Sequence, residues 1–469
     1  METKGGRQIN VDAEPSFQLE KLENNRDKYI YHSHLEMGKL DGHLELELED
    51  ERCVGPSPFI RNNHSPEIKS PNGSFSDASK ESSISHMKDK VLRSLNIVLF
   101  STKINLLMPC GAIAIIVNYL TGQHGWVFLL SLLGIVPLAE RLGFVTEQLA
   151  FFTGPIVGGL LNVTFGNATE LIISIYALKK GMIRVVQQSL LGSILSNMLL
   201  VLGFAFFCGG IAYNKKDQIF NKTDVTVNSG LLLMAVMAML LPAVLRFTHT
   251  EMHFGKSELG LSRFSSCVML VAYATYIIFQ LRDQNSSSYD ENEREESQKD
   301  EDKAIQISKW EAIIWLAIVT VWIAVISAYL VDTIEGASKA WNMPIAFISV
   351  ILLPVIGNAA EHASAIMFAM KDKLDISLGV AIGSSTQISM FGIPFCVIIG
   401  WIMERHMDLN FQLFETVTLF ITVLVVAFML QDGTSNYLRG MMLILSYIIV
   451  AASFYVHVDP TFEESSPTN

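Results

Sequence analysis

Two short motifs combine glycine, asparagine and glutamate inside otherwise apolar stretches. The first is "GNATEL" at 166–171 and the second is "GNAAEH" at 357–362. Each is followed in the next apolar stretch by a Gly-Ser pair, within "LLGSILSN" at 190–197 and within "AIGSSTQI" at 381–388. Corresponding positions are 191 residues apart in both cases. A repeated carboxylate at a fixed interval from a repeated hydroxyl predicts one functional site assembled from two related halves.

The residue types in these motifs suit a hard divalent cation. Ca²⁺ takes about 6–8 oxygen ligands, and the carboxylates of Glu170 and Glu361 would balance its charge. Either carboxylate can also carry a proton in place of the cation. None of the four segments contains Cys or Met, so a site for a soft metal is not indicated. Neutral oxygen ligands are predicted from Asn167, Asn358, Ser193, Ser384 and Gln387.

Further residues are assigned to the same site. His362 follows Glu361, and three roles remain open for it: a proton carrier, a metal ligand or a polar packing residue. The acids Glu140 and Asp332 are candidates for accepting an additional proton. Glycine loosens a helix, so that backbone carbonyls can face a ligand. Helix breaks are therefore predicted at Gly166, Gly357, Gly192 and Gly383.

The stretches that carry the motifs are long enough to cross a membrane as helices. The chain of 469 residues is 50% hydrophobic and 17% charged, with a mean hydropathy of +0.36. Runs of about 17–25 mainly apolar residues, the length that a transmembrane helix needs, recur eleven times. A β-barrel would show shorter, alternating segments. The predicted fold class is therefore an all-α polytopic membrane protein, with spans at 104–120, 125–143, 151–177, 185–208, 228–246, 264–281, 310–331, 343–370, 376–402, 411–430 and 438–457.

Spacing along these helices places the motifs near the middle of the bilayer. Glu170 lies about nine residues before the basic turn at 179–184, and Ser193 lies about nine residues after it. At 1.5 Å per residue both are about 13 Å from the same end of a helical hairpin, near half of a ~30 Å hydrocarbon core. Glu361 and Ser384 repeat this spacing around 371–375. A charged carboxyl at that depth costs about 2.5–3.5 kcal/mol, which favours a functional reason for both.

Polar and charged stretches divide the chain into segments. Because each predicted repeat has five helices, an odd number, the second must enter the membrane from the side opposite to the first, as inverted-topology repeats in a 1+5+5 arrangement. The predicted segments are a polar N-terminal tail at 1–95, a first transmembrane helix at 96–123, a five-helix repeat at 124–281, an acidic linker at 282–309, a second five-helix repeat at 310–457 and a C-terminal tail at 458–469.

The acidic linker admits two interpretations. Between 283 and 303 it holds nine acidic residues against three basic ones. Such a run is usually a solvated connection; the alternative is a regulatory surface that gathers or senses cations. The acids concerned are Asp290, Glu291, Glu293, Glu295, Glu296, Asp300, Glu301 and Asp302.

The two motifs, the acidic linker, the extra first helix and "FFTGPIVGGLLNVTFGNATELIISIYALKKG" resemble the cation/proton exchanger family of the calcium/cation antiporter superfamily. Within it, the chain is most similar to plant vacuolar calcium/proton exchangers, over residues 95–457. The resemblance implies a secondary active antiporter that moves cytosolic Ca²⁺, or other divalent cations, into an acidic vacuole in exchange for protons. It implies alternating access in which Glu170 and Glu361 bind cation and protons in turn. It also implies a vacuolar membrane (tonoplast) location, a cytosolic linker and a cytosolic, autoinhibitory N-terminal tail.

The partners expected from this reading are Ca²⁺ and H⁺ as substrates and the lipid bilayer, without nucleic acid and without a resident cofactor. A homo-oligomer, a hetero-oligomer with related exchangers and a regulatory protein at the N-terminal tail are left open as further partners. Other classes explain the residues less well. A sodium/calcium exchanger needs additional ligands for several Na⁺ ions, a channel needs a continuous pore, and a Ca²⁺ sensor acting through 283–303 leaves the apolar-embedded acids unexplained. An enzyme is not expected, because no nucleophile–base set, phosphate-binding glycine loop or zinc motif is present.

Overall fold

The protein is described by a computed structural model that covers residues 92–213, 217–250, 256–287 and 305–457. The predicted N-terminal tail up to residue 91, the acids of the linker and the C-terminal tail from residue 458 lie outside the described residues. The described chain is mostly helical. We number its helices α1 (92–100), α2 (Lys103–Thr121), α3 (His124–Phe151), α4 (Gly154–Phe165), α5 (Ala168–Lys180), α6 (Ile183–Ala212), α7 (Lys222–Thr248), α8 (Lys256–Ser287), α9 (Lys309–Trp341), α10 (Ile345–Gly357), α11 (Ala359–Met370), α12 (Leu374–Ile402), α13 (Leu413–Leu430) and α14 (Tyr437–Val456).

Within the described residues, nine helices are long and apolar enough to cross a membrane. The bent pair α10 and α11 raises the number to ten if it counts as one span. Large apolar side chains such as Leu106, Tyr119 and Trp310 are exposed on the outside of the bundle, which is typical of a surface that faces lipid. A mostly helical membrane fold is therefore confirmed, whereas the number eleven is not.

Besides the predicted span 343–370, which is bent between α10 and α11, two further predicted segments are interrupted. The predicted span 151–177 consists of two helices, α4 and α5, separated at residues 166–167. The predicted first transmembrane helix, 96–123, is likewise divided into α1 and α2 at residues 101–102, where Thr102 has extended backbone angles. Glycine and asparagine at the first break, and serine and threonine at the second, are residues that favour chain breaks over continued helix.

The 191-residue repeat is visible in the positions of the helices. Ala168 and Ala359 begin α5 and α11, and Ile183 and Leu374 begin α6 and α12. Each pair of starting residues is 191 positions apart. The two halves therefore share the same succession of a broken helix, a short turn and a long helix.

The loops divide between two ends of the bundle. At one end, Gln218 Nε2 donates to Asp372 Oδ1 at 2.9 Å and the Asn221 amide donates to Asp375 Oδ1 at 2.7 Å. A two-stranded antiparallel ribbon also lies there, β1 (Gln218–Ile219) with β2 (Thr434–Ser435). Because α8 reaches the same end with Gln280, just before the linker, we call it the linker face.

The other end, which we call the distal face, is formed by residues 179–184, 246–250 and 403–415. Arg184 of α6 pairs with Glu415 of α13 at 2.5 Å, and Arg405 Nη2 donates to the Lys179 carbonyl at 2.9 Å. Contacts at both ends thus join the first half of the chain to the second.

One apolar core extends through both halves. Helix α6 is the most enclosed of the described helices, since residues 185–199 of it are all buried. A helix that is apolar on nearly all sides belongs in the interior of a bundle. Ser193, in the middle of this buried stretch, therefore lies in the interior of the bundle.

Candidate functional site

Both GNxxE motifs lie at a helix break. Asn167 and Asn358 directly precede α5 and α11, with backbone angles outside the helical region, and are 4% and 3% exposed. Helices α10 and α11 meet at an angle of 57°. Glu170 and Glu361 occupy the first turns of the helices that follow. The last carbonyls of a helix have no partner inside it, so each break combines a carboxylate, an amide and backbone oxygens.

One cavity of about 230 Å³ brings the two carboxylates together. It lies between α3, the two helix breaks and α12, and it extends toward the linker face, because Ser364 and Val380 on its wall are beyond the motifs in that direction. Glu361 also interacts electrostatically with Glu170. The motif residues that line the cavity are Gly166, Glu170, Gly357, Asn358 and Glu361.

The side chains predicted as neutral ligands lie beside the two helix breaks, and some of their contacts join the two halves. Asn358 Nδ2 donates to Ser193 Oγ of α6 at 3.3 Å, and Asn358 also interacts with Glu170. Glu361 interacts with the Ser384 hydroxyl of α12. The amide of Gln387 lies beside Gly166, where an added Cβ would be 3.6 Å from its Oε1. The helix α6 of the first half thus supports the break of the second half, and α12 of the second half supports the break of the first.

Two buried acceptor atoms at the site have no hydrogen-bond partner among the described residues. They are Asn167 Oδ1 and Glu361 Oε2. Buried polar atoms are nearly always paired in proteins, and unpaired oxygens beside a second carboxylate suit a cation. No group of three or more His, Cys, Asp or Glu side chains in the described part of the chain is arranged to hold a metal. A cation here would therefore depend on two carboxylates together with amide, hydroxyl and backbone oxygens.

His362 points away from this cavity. Its ring is nearly buried, and Nε2 lies 3.5 Å from Ser196 Oγ on α6. The imidazole does not line the 230 Å³ cavity. The structure thus provides a polar packing partner for His362, and the proton-carrier and metal-ligand roles stay predictions.

Two of the predicted helix breaks are wrong. Gly192 lies inside the regular part of α6, and Gly383 ends a π-helical stretch within the continuous α12. A Cβ on Gly192 would be 2.7 Å from Pro354 Cγ and would overlap the Val350 carbonyl oxygen of α10. Gly192 therefore permits close helix packing. Gly166 and Gly357, by contrast, lie at the observed breaks.

The two accessory acids have different positions. Glu140 of α3 lines the cavity. Asp332 of α9 does not; it is 43% exposed at its side chain and pairs with Lys180 at 2.9 Å. The prediction that Asp332 contributes to the site is therefore not supported by its position, since an exposed ion pair on the helix surface is remote from the cavity wall.

Two polar residues on the cavity walls are absent from the sequence-based set. Ser364 follows Glu361 by three positions and Thr169 precedes Glu170. Residues three apart share a helix face, so spacing alone could have indicated Ser364.

A second, much smaller chamber of about 20 Å³ lies on the distal side of Glu170 and is lined by Ser189 and Ser193. Ser189 has no signal in the sequence other than its distance of one turn from Ser193.

Comparison with known proteins extends over both halves. A family model described as sodium/calcium exchanger protein matches residues 124–282 and 311–456. Vacuolar cation/proton exchanger 5 of Arabidopsis thaliana is 65% identical over 411 residues, which are 86% of this chain and 93% of that protein. Vacuolar cation/proton exchanger 2 of Oryza sativa subsp. japonica is 63% identical over 426 residues, 90% of this chain and 98% of that protein. The solved structure of a selenium-substituted Ca²⁺/H⁺ antiporter protein, YfkE, has a TM-score of 0.62 at 34% identity and covers 76% of this chain and 99% of its own.

Proposed function

The chain belongs to the sodium/calcium exchanger protein family, and on this premise we propose that it exchanges Ca²⁺ for protons across the vacuolar membrane. In this proposal it removes Ca²⁺ from the cytosol, and an acidic vacuole supplies the protons. The names of the curated relatives, which are vacuolar cation/proton exchangers, and the Ca²⁺/H⁺ antiporter among the solved structures support this choice within the family.

The observation that carries the proposal is the meeting of Glu170 and Glu361 on one cavity. The two come from related halves, and Glu361 Oε2 has no hydrogen-bond partner among the described residues. One Ca²⁺ or two protons would each neutralise the pair. An empty site with two charged carboxylates would be costly to enclose inside the membrane, so the protein without a bound ion would resist the change from one access state to the other. The protein loaded with Ca²⁺ or with two protons would make this change more easily, and the difference couples the two ions.

The inverted repeats offer a route for alternating access. The cavity toward the linker face has a volume of about 230 Å³, whereas the chamber toward the distal face has about 20 Å³. We assign the linker face to the cytosol and the distal face to the vacuolar lumen. Rearrangement of the halves would then close the first and open the second. In this proposal α4–α5 and α10–α11 each count as one broken span, which gives eleven crossings in a 1+5+5 order and a cytosolic N-terminus.

The energetics of such an exchange are adequate. One pH unit is worth about 1.36 kcal/mol per proton, so two protons moving across two pH units provide about 5.4 kcal/mol. That free energy balances roughly a 10⁴-fold Ca²⁺ gradient at about 1.4 kcal/mol per decade. Two protons per Ca²⁺ would make the exchange electroneutral, and the membrane potential would then contribute little.

The test is uptake of ⁴⁵Ca²⁺ into sealed proteoliposomes that contain the full-length protein. Vesicles with an acidic interior in neutral buffer should accumulate Ca²⁺, and vesicles without a pH gradient should not. A protonophore added at the start should abolish the accumulation, while valinomycin with potassium should change it little. Uptake that is unaffected by collapse of the pH gradient would contradict antiport.

A further inference from the structure

A third carboxylate lies on the wall of the cavity. Glu140 of α3 faces the 230 Å³ space that Glu170 and Glu361 also line. Its side chain is 23% exposed, and Oε1 lies 2.6 Å from Nη2 of Arg141. Arg141 does not line the cavity and is 3% exposed. Although the two residues form an ion pair, only its negatively charged residue, Glu140, therefore faces the cavity.

Both oxygens of Glu140 are held in place from the junction between α1 and α2. Thr102 Oγ1 donates to Oε2 at 3.1 Å. Arg141, which holds Oε1, donates through its other terminal nitrogen, Nη1, to Ser101 Oγ at 2.6 Å. Residues 101–102 are the break in what would otherwise be one helix. This break thus has a role, because its two hydroxyls fix the carboxylate and its partner.

We propose that Glu140 attracts and transiently binds the cation on its way to Glu170 and Glu361, and that Thr102 and Arg141 are the positioning residues for its carboxylate. The inference rests on the proposed function, since it assigns an entry step to the same cavity. A negative side chain on a cleft wall raises the local concentration of cations. The carboxylate contributes most when it is held toward the cavity in advance of binding.

Only the first half of the repeat carries this third carboxylate. The position in the second half that corresponds to Glu140 is Val331, which is buried. Likewise, Ser364 and Val380 of the large cavity correspond to Ile173 and Ser189 of the small distal chamber. The distal vestibule that opens by exchange of the two halves would therefore lack the third carboxylate. The cation would be attracted where it enters and not where it leaves, so apparent affinity should be higher from the linker face.

The test uses the full-length protein in proteoliposomes and measures initial rates of ⁴⁵Ca²⁺ uptake against Ca²⁺ concentration. Glu140→Gln should raise the apparent KM about tenfold, with Vmax within about twofold of wild type. Thr102→Val should raise the KM about fivefold, because one hydrogen bond to a charged group is lost. Thr102→Ser keeps the hydroxyl and should restore a KM close to that of wild type. Combining Thr102→Val with Glu140→Gln should raise the KM no further than Glu140→Gln alone.

Two controls separate positioning from general damage. Thr121→Val makes the same change at the other end of α2, where the hydroxyl donates to the Val117 carbonyl and accepts from the Gln123 amide, and it should leave the KM unchanged. The wild-type KM should also rise with ionic strength more steeply than that of Glu140→Gln, because salt screens an attracting charge. If Glu140→Gln fails to accumulate, the comparison of Thr102→Val with Thr102→Ser decides the same question.

The possible outcomes distinguish this inference from the proposed function. Absence of pH-driven uptake by the wild-type protein would contradict the function itself. A wild-type protein that exchanges normally, with an unchanged KM in Glu140→Gln and in Thr102→Val, would overturn the inference alone. Additive effects of Thr102→Val and Glu140→Gln would overturn the positioning role of Thr102.

Discussion

Each of the two sequence motifs contributes one negatively charged side chain to the site, at a helix break. Glu170 and Glu361 face one cavity, and their close partners are neutral amides and hydroxyls. Such an environment can be neutralised by a divalent cation or by protons. The proposed exchange therefore depends on the charge of these two side chains.

Replacing either glutamate by glutamine should abolish exchange. Glu170→Gln and Glu361→Gln keep the size of the side chain but can neither balance Ca²⁺ nor release a proton. Asp at either position shortens the side chain by one methylene and should leave partial activity at best, because the helix breaks fix the position of the ion. The measurement is pH-driven ⁴⁵Ca²⁺ uptake at matched protein abundance. Glu335→Gln, an exposed change on α9, serves as control, and substantial uptake by Glu361→Gln would exclude the two-carboxylate mechanism.

A residue with a perturbed pKa, Asp408, lies in the distal loop between α12 and α13. Asp408 Oδ1 accepts a hydrogen bond from Gln187 Nε2 at 2.9 Å and another from the Asn410 amide at 3.1 Å. Burial and the nearby Glu258 carboxylate raise the pKa of Asp408 to about 6, although its hydrogen bonds and Arg246 oppose the increase. Since the ordinary value is 3.8, the folded protein binds this proton more tightly than the unfolded chain does.

The sign of this shift predicts how stability depends on pH. Above about pH 6 the charged, buried Asp408 lowers stability, by up to about 3 kcal/mol for a shift of two pKa units. The penalty disappears as the pH falls toward 4. Asp408→Asn should therefore raise the melting temperature in detergent at pH 8 and have little effect at pH 4.5. Asp217→Asn, in an exposed loop, should change neither value, and an equal effect of Asp408→Asn at both pH values would contradict the assignment.

At the scale of helices, the site is held by contacts between elements of different halves. Helix α6 packs so closely on α10 that only glycine fits at position 192, and Asn358 is bonded to Ser193 one residue further on. The equivalent glycine of α12, Gly383, has no atom within 4 Å of an added Cβ. The repeat thus supplies a matched pair of glycines, of which one is at a close contact.

Alanine at these two positions should have opposite consequences. Gly192→Ala places a methyl group against the backbone of α10 and should cost at least about 1–3 kcal/mol, the usual cost of overpacking. Gly383→Ala should be neutral or slightly stabilising, because alanine favours helix over glycine by up to about 1 kcal/mol. Melting temperatures in detergent compare the two. Equal melting temperatures for both variants would show that the close packing of α6 on α10 is not required.

At the scale of the whole molecule, the linker face combines the wide end of the cavity with the segments that enter and leave the bundle. Helix α1 follows the N-terminal tail, and Thr102 at its junction with α2 bonds to Glu140 on the cavity wall. The Gln306 backbone amide, just before α9, donates to Gln148 Oε1 of α3 at 2.8 Å. The junction between α1 and α2 is thus in direct contact with the cavity wall at residues 101–102.

Removal of residues 1–60 should raise the rate of exchange. The prediction follows from the autoinhibitory tail that the family resemblance implies, and from a polar composition that gives this segment no place inside the bilayer. Uptake should be measured at equal protein abundance in proteoliposomes. Removal of residues 458–469, a polar segment at the other end of the chain, should not raise the rate. Equal rates for the full-length and N-terminally truncated proteins would argue against autoinhibition.

The sequence by itself determined the helical membrane architecture and the two carboxylates that meet on the cavity. Length and apolar composition fix transmembrane helices locally, because a helix satisfies its own backbone hydrogen bonds in lipid. The starts of α5, α6, α11 and α12 follow the 191-residue repeat. The meeting of Glu170 and Glu361 was likewise predictable, since two equivalent carboxylates at bilayer mid-depth are costly unless they face a common site.

Only the tertiary structure decided which helices meet and which side chains face the cavity. Glu140 and Asp332 both appear in the sequence as acids within apolar helices, but the repeat equates Asp332 with Arg141, one position beyond Glu140. One position rotates a side chain by about 100° around a helix, which is enough to move it from the cavity wall to the surface ion pair with Lys180. For the same reason Gly192 looks like a helix break in sequence and is a packing contact in the fold. Contacts between helices depend on how their surfaces interlock, and no local pattern in the chain contains that information.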